Sequence, residues 1–301
     1  MEQITKGLYV DPPKFCSDIE NLIKNTLKNL NRDGAVIGLS GGLDSAIAAT
    51  LTIRSLSKEK VHLVNMPEKD SKKIHRIHAK RLAEYLGIPL VVKPINSTLR
   101  SLGTYKILPL RFVPGRNLRK KLVQFGRKKF LPKNGEGVLI QRLKPKANSW
   151  VAKGNAYAIA KHRIRMVTIY QYAEVRNLMV VGAANRTEWF TGTFSKWGVD
   201  HCADIMPIAH LYRSQLEQLA EYLEIPEYIR NKAADPDIMP TVDNKGDMLH
   251  SFKLADQILY GIEKNIDKSI LIKEFGEKNV ESLYTLWEYS KHMRDSPYHL
   301  N

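Results

Sequence analysis

Short apolar runs alternate with segments of helical periodicity, and this alternation limits the possible folds more than any other feature of the chain. The predicted strands cover 35–39, 61–66, 89–92 and 178–181. The predicted helices cover 18–30, 44–56, 71–86, 156–175, 213–223, 251–262 and 280–292. Strands that are apolar throughout are typical of sheets buried on both faces. We therefore predict an α/β fold of three layers, with an open parallel sheet and helices on both faces.

The length and composition are those of a folded chain with a substantial core. The 301 residues include 43% hydrophobic and 26% charged residues, and we predict one domain over 1–301. No run approaches 18 uninterrupted apolar residues, and the first residues lack the apolar centre of a secretory signal. We expect no membrane association and a cytoplasmic location. Cys16 and Cys202 are the two cysteines, and they are expected to be ordinary small residues instead of a disulfide.

Most of the excess positive charge falls in one stretch. The formal net charge is +16, and between 104 and 147 thirteen Lys and Arg residues stand against the single acid Glu136. Several prolines and glycines interrupt the periodicity there, so we predict a basic insertion at about 103–148. Three roles remain open for it: a lid that attracts an anionic substrate, a surface for RNA, or a surface for a protein partner.

The stretch GLSGGLDS, at 38–45, lies where the first predicted strand turns into a helix. In parallel sheets this turn is the usual place for a phosphate, because the amides at the start of the helix point at the ligand. Glycines allow the backbone to approach an anion, and serine hydroxyls add donors. The candidate phosphate-binding residues are Gly38, Ser40, Gly41, Gly42, Asp44 and Ser45.

Asp44 narrows the interpretation of this stretch. A carboxylate inside a phosphate cradle repels the ligand unless a cation lies between them, so Asp44 predicts Mg²⁺. The stretch matches neither GxxxxGK[ST] nor GxGxxG, which argues against a Walker-type site and a dinucleotide fingerprint. The alternative is a simple glycine turn in which Asp44 caps the helix.

Four stretches together resemble a known family. SGGLDS resembles the PP-loop, SGGxDS, of the N-type ATP pyrophosphatases, which split ATP into AMP and pyrophosphate while they activate an acceptor. GNAYAIAKHRIRM, at 154–166, and GAANRTEWFTGTFSKWG, at 182–198, resemble the GNxxARxRM and GTxNxSExxxGYxTKYG signatures of the NAD⁺ synthetases. CADIMPI, at 202–208, is similar to their xADIxPI. The resemblance runs from about residue 18 to the end of the chain, apart from the basic insertion.

The resemblance implies an ATP-dependent ligase that adenylates the nicotinate carboxylate of deamido-NAD⁺ and amidates it with ammonia. It implies that Asp44, Ser45 and Arg213 carry the chemistry of ATP cleavage and that Asp44 and Glu188 hold Mg²⁺. It assigns ATP binding to the 38–45 stretch together with Arg213. It assigns deamido-NAD⁺ binding to Arg163, Lys196, Asp204 and His292. A homodimer is expected as well, and no glutaminase domain is expected before the PP-loop.

The chain departs from the family pattern at several positions whose family residues contact the substrates. The family threonine that contacts ATP after the fourth strand is Ala183 here, and the later lysine that contacts ATP is Arg213. The family motif K-x-P-[ST]-A-D-L corresponds to KAADPDIMP in this chain, which contains Ala234 and lacks the Ser or Thr hydroxyl. The lysine of the family's C-terminal HKR is Met293 here. The alternative is therefore a PP-loop paralogue that adenylates another carboxylate or a tRNA base.

Overall fold

Four parallel strands form the sheet at the centre of the fold. A computed structural model of the chain describes residues 2–108, 118, 121, 138–232 and 251–295. The strands are β1 (Gly34–Gly38), β2 (Val61–Asn65), β3 (Leu90–Val92) and β4 (Leu178–Val181). Their order across the sheet is β3-β2-β1-β4, and every pairing is parallel. The predicted α/β class is confirmed, and each strand lies within two residues of its predicted bounds.

The sheet is covered on both faces, which explains why its strands are apolar throughout. Ala35 and Ile37 of β1 belong to one buried cluster, which also holds Ile47 of the following helix. Val36, between them in sequence, belongs to the opposite cluster together with Ile169 of the long helix. Because successive side chains of a strand point to opposite faces, no position in β1 is available for a polar residue.

Each of the seven predicted helices is present with shifted ends, and seven further described helices were not predicted. The described helices run Glu2–Gly7, Pro12–Asn29, Leu43–Leu56, Lys73–Leu86, Asn96–Ser101, Val138–Leu143, Trp150–Glu174, Arg186–Thr191, Arg213–Tyr222, Glu227–Arg230, Phe252–Glu263, Lys268–Phe275, Glu277–Tyr289 and Lys291–Arg294. The second begins before 18 because Asp11 caps it and prolines fit its first turn. The long helix Trp150–Glu174 begins before 156 because Ser149 caps it. No described helix is both long and apolar enough to span a bilayer.

A buried ion pair fixes the long helix to the loop that follows β2. The ammonium of Lys161 lies 2.9 Å from a Glu68 oxygen and 3.1 Å from an Asp70 oxygen. The hydroxyls of Tyr105 and Tyr157 donate to Glu68 and Asp70, respectively. Buried charges need such partners, and removing one of them is costly. The pair therefore holds this loop at the carboxyl edge of the sheet.

The predicted basic insertion lies mostly outside the described residues. Its described flanks pack into the fold: Tyr105 and Leu108 belong to the cluster beneath the long helix. Leu139 and Leu143 belong to a separate cluster formed with the C-terminal helices. The role of the stretch between these flanks, including contact with nucleic acid, stays a prediction.

Candidate active site

The turn after β1 forms a cradle closed by its own serines. Ser40 and Ser45 are joined through their hydroxyls at 2.9 Å, and the Ser40 amide donates to the Ser45 hydroxyl at 3.3 Å. The Gly42 amide donates to the Ser40 hydroxyl at 3.2 Å, and Gly42 precedes the helix Leu43–Leu56. The predicted phosphate-binding residues are thus held together where the dipole of a 14-residue helix is positive.

Gly41 is the position in this turn that requires glycine. Its φ is +75°, in the left-handed region that residues with a Cβ atom rarely adopt. A Cβ atom there would lie 2.4 Å from the backbone oxygen of His75 and 2.8 Å from the amide nitrogen of Ala79. The cradle therefore lies directly against the helix Lys73–Leu86.

Asp44 and Arg213 meet next to the cradle, although 169 positions separate them in sequence. One guanidinium nitrogen of Arg213 lies 3.4 Å from each carboxylate oxygen of Asp44, and the side chain also donates to Glu217 at 3.3 Å. Arg213 is buried, with 7% of its surface exposed. Its charge is therefore kept at the cradle by neighbouring carboxylates.

Glu188 shares the electrostatic environment of Asp44. Burial raises the pKa of Glu188 to about 8, and the carboxylates of Asp44 and Asp200 add to this increase. Burial likewise raises the pKa of Asp44, Arg213 opposes that effect, and Asp200 reinforces it. Three acids therefore share one buried environment, and without a cation burial and mutual repulsion keep Glu188 largely protonated at neutral pH. Such a site favours a bound cation.

The donor set fits Mg²⁺ in the way the sequence suggests. Within the described ranges, no group of three or more His, Cys, Asp and Glu side chains is arranged to hold a metal ion. Mg²⁺ is usually bound through one or two carboxylates together with phosphate oxygens and water. Asp44 and Glu188, beside a phosphate cradle, match that pattern. The assignment of the metal to this pair stays a prediction.

Asn185 connects the two acids. Its side chain accepts from the Glu188 amide at 2.9 Å, and the Glu188 carboxylate accepts from the Asn185 amide at 3.3 Å, which is a capping box. A hydrogen bond from the Asn185 side chain also lowers the pKa of Asp44. The helix Arg186–Thr191 is thereby fixed with Glu188 directed at the site.

Asp256 holds the two helices that carry Glu188 and Arg213. It is fully buried, and it accepts from the Thr187 hydroxyl at 2.6 Å and from the Ser214 amide at 2.7 Å. The Thr187 hydroxyl in turn accepts from the Arg213 amide at 2.9 Å. The relative placement of Glu188 and Arg213 thus depends on one carboxylate behind them.

Replacing Asp256 by alanine is expected to destabilise the chain by about 1 to 3 kcal/mol, because it leaves two buried donors unsatisfied. Urea denaturation followed by circular dichroism would measure the change. Asp267→Ala is the matched control, since Asp267 caps a helix at an exposed position. Its loss should cost clearly less, because the exposed donor left behind can bond to water. Equal losses in the two variants would contradict the role of Asp256.

The predicted acceptor-binding residues fall into a second group. The Arg163 guanidinium lies 3.5 Å from the Lys196 carbonyl oxygen, at the exposed side of the long helix. The Lys196 ammonium donates to the backbone oxygens of His292 at 2.7 Å and of Asp295 at 2.8 Å. Arg163, Lys196 and His292 are therefore close together, and Lys196 connects the segment after Glu188 to the last described helix.

Asp204 is engaged differently. One of its carboxylate oxygens accepts from the Val180 amide at 2.8 Å, and the other accepts from the Tyr170 hydroxyl at 3.0 Å. These bonds attach the turn after Cys202 to β4 and to the long helix. Among the contacts of the described residues, Asp204 does not join Arg163 or Lys196. Its role in substrate binding stays a prediction.

Two of the departures from the family pattern are buried apolar residues. Ala183 follows β4 with 8% of its surface exposed, and Met293 is equally buried among the C-terminal helices. Neither offers the hydrogen bond that the family residue would supply. Ala234 lies outside the described residues.

Three functional candidates were not assigned from the sequence. Asp200 adds to the negative charge at Asp44 and Glu188, and it lies 3.4 Å from Nδ1 of the buried His162.

Arg142, from the predicted insertion, donates to the backbone oxygens of Gly192 and Phe194. Burial lowers the pKa of Arg142 to about 10, and the carboxylate of Glu188 opposes this decrease. Lys232 donates to the Gly41 carbonyl. Long-range contacts of this kind leave no signal in local spacing.

The fold and the site together define an α/β nucleotide-binding protein with a PP-loop. The model of the NAD synthase family matches residues 15–113 and 136–297, which excludes the centre of the basic stretch. The chain belongs to the NAD synthase family, and the family predicted from the motifs is confirmed.

Curated and solved relatives agree with this assignment. The chain is 37% identical over 278 residues to the NH(3)-dependent NAD(+) synthetase of Thermotoga neapolitana, covering 92% of this chain and 93% of that protein. It is 34% identical to the protein of the same name from Coprothermobacter proteolyticus, covering 94% and 96%. The NMN synthetase structure from Francisella tularensis is similar with a TM-score of 0.69 and 25% identity, covering 97% of this chain and 100% of that one. A Campylobacter jejuni NH3-dependent NAD synthetase, at 24% identity and a TM-score of 0.68, shows the same fold.

Proposed function

We propose that this chain is an ammonia-dependent NAD⁺ synthetase that uses ATP. In the first step an oxygen of the nicotinate carboxylate of deamido-NAD⁺ attacks the α-phosphorus of ATP, and pyrophosphate leaves. In the second step ammonia attacks the activated carbonyl carbon, AMP leaves, and a proton is released as the amide forms. The observation that carries the proposal is the cradle at Ser40–Ser45 with Asp44, Glu188 and Arg213 beside it, in a chain of this family.

The residues of the site have distinct tasks in this reaction. The amides and hydroxyls of the cradle bind the β- and γ-phosphates, which become the leaving pyrophosphate. Arg213 places a fixed positive charge next to them, at the point where negative charge develops. Asp44 and Glu188 would hold Mg²⁺, which neutralises phosphate charge and makes pyrophosphate a better leaving group. Asn185 and Asp256 keep these side chains in place.

Arg163, Lys196 and His292 form the surface for the acceptor in this proposal. Deamido-NAD⁺ is anionic, and the cationic Arg163 and Lys196 are suited to its phosphates. A homodimer is part of the same proposal, since the family expectation places the acceptor site at a subunit interface. The cytoplasmic location expected from the sequence stays a prediction.

One observation favours a second acceptor. The similar solved structure from Francisella tularensis is an NMN synthetase. If this chain shared that preference, the carboxylate would belong to the corresponding mononucleotide acid, with the same two-step chemistry. Met293, which is buried where the family has a lysine that contacts deamido-NAD⁺, also fits a changed acceptor.

The test is the release of AMP and pyrophosphate from ATP with Mg²⁺ and ammonium, measured separately with deamido-NAD⁺, nicotinate mononucleotide, tRNA or no acceptor. The proposal expects AMP and NAD⁺ in equal amounts with deamido-NAD⁺. Faster turnover of the mononucleotide would select the second candidate. AMP release that depends on tRNA and not on either nucleotide would overturn both.

A further inference from the structure

Lys232 reaches the cradle from a distant part of the chain. Its ammonium donates to the Gly41 carbonyl oxygen at 2.8 Å, across 191 positions of sequence. It also contacts Nδ1 of the buried His75, and because lysine has no acceptor, that nitrogen accepts. His75 presents its own backbone oxygen to the Cα of Gly41. The positive charge of Lys232 helps to lower the pKa of His78, after the larger effect of burial.

The peptide between Gly41 and Gly42 joins two residues that lack a Cβ atom. In a planar trans peptide the carbonyl and the following N–H point in opposite directions. With the Gly41 carbonyl on Lys232, the Gly42 N–H points to the Ser40 hydroxyl, and so to the side of the two serines. Two adjacent glycines have no Cβ atom to oppose a rotation of this peptide. A rotated peptide would present a carbonyl oxygen to the phosphates.

We propose that Lys232 is a positioning residue that holds the Gly41–Gly42 peptide with its carbonyl turned away from the phosphates. The proposal rests on the proposed function, because it takes the cradle to be the pyrophosphate site. The loop has no lysine of its own, unlike GxxxxGK[ST]. In this chain a remote lysine acts on the loop backbone instead of on the ligand.

Direct attraction of phosphate by the ammonium is the competing explanation. The geometry favours positioning, because Lys232 bonds the carbonyl end of the peptide while the amide end faces the serines. The two explanations differ at Gly42. Its φ is −107°, which any residue can adopt, and a rotated peptide would give it a positive φ. A Cβ atom at Gly42 would meet only the Ser40 hydroxyl, at 3.3 Å, which would have to move by a few tenths of an ångström. Gly42→Ala therefore allows the observed peptide and opposes the rotated one.

The experiment is a double-mutant cycle read by calorimetric titration of Mg-pyrophosphate and, separately, of AMP. It uses the whole chain with Lys232→Met, Gly42→Ala and both together. Lys232→Met should weaken pyrophosphate binding about tenfold or more and leave AMP binding nearly unchanged. In the Gly42→Ala background the same lysine substitution should cost about threefold or less. Lys80→Met, an exposed lysine on the helix of His75, should change neither affinity.

Three results would overturn the proposal. An equal loss from Lys232→Met in both backgrounds would mean direct attraction of the phosphates. An equal loss of AMP and pyrophosphate affinity in Lys232→Met would mean that Lys232 supports the fold in general. The proposal expects Lys232→Arg, which keeps a hydrogen-bond donor, to retain most of the pyrophosphate affinity. If the wild-type protein bound no pyrophosphate, the cradle would not be a pyrophosphate site and the proposal would fail. Failure of the proposed acceptor would leave these titrations unaffected, since they contain no acceptor.

Discussion

Replacing Asp44 by asparagine is expected to reduce the formation of AMP and pyrophosphate by about a hundredfold to a thousandfold, or more. Asparagine keeps the size of the side chain and an oxygen that can accept hydrogen bonds. It removes the charge that would bind Mg²⁺ and that pairs with Arg213 at 3.4 Å. The measurement is the steady-state release of AMP with saturating ATP, deamido-NAD⁺ and ammonium.

The same substitution should not lower the free energy of unfolding. Burial raises the pKa of Asp44, so its ionised form is destabilised in the folded chain. Arg213 still has Glu217 as a partner when Asp44 is neutral. Glu84→Gln, on an exposed face of the helix Lys73–Leu86, is the control for loss of a carboxylate. If Asp44→Asn retained activity within about threefold of wild type, the assignment of Asp44 to the reaction would be wrong.

The local parts of the site could be predicted from the sequence because they depend on neighbouring residues. The strand Gly34–Gly38 is apolar because both its faces are buried, and the turn that follows needs glycine at Gly41, where φ is positive. The serines of the cradle bond within six residues of each other. Periodicity and turn chemistry report such features directly.

The long-range parts of the site could not be derived from spacing. That Asp44 and Arg213 share a site was implied only by the resemblance to a family, and they meet because the helices Leu43–Leu56 and Arg213–Tyr222 pack against each other. Asp256 bonds to the Thr187 hydroxyl and the Ser214 amide, and Lys232 bonds to the Gly41 carbonyl; the positions of these groups depend on the complete fold. Helix starts were misplaced for a simpler reason: periodicity detects the interior of a helix, whereas Asp11 and Ser149 define the first turn by their caps.

Glu188 is expected to make the metal-free chain less stable as the pH rises. Its pKa is about 8 in the folded state, above the ordinary value of 4.5, so the folded chain binds a proton that the unfolded chain has lost. Stability from this group is complete below pH 4.5 and is lost as the pH rises through 8. Between pH 5 and 9 we expect the free energy of unfolding in the presence of EDTA to fall by an amount on the order of 4 kcal/mol from this group.

Glu188→Gln should flatten that pH dependence without removing the helix cap. Glutamine fulfils the same part of a capping box, so it can still accept from the Asn185 amide, which now lies 3.3 Å from the carboxylate. Urea denaturation at several pH values would measure the difference between the variants. At pH 8, Mg-pyrophosphate should stabilise wild type through linkage, and it should stabilise the glutamine variant much less. Parallel pH profiles for the two proteins would show that the pKa of Glu188 is not raised in the folded chain. Equal stabilisation of both proteins by Mg-pyrophosphate would show that Glu188 does not bind the metal. The two measurements report on the charge of this side chain and not on its part in the helix cap, because wild type and Glu188→Gln differ in the charge and share the cap.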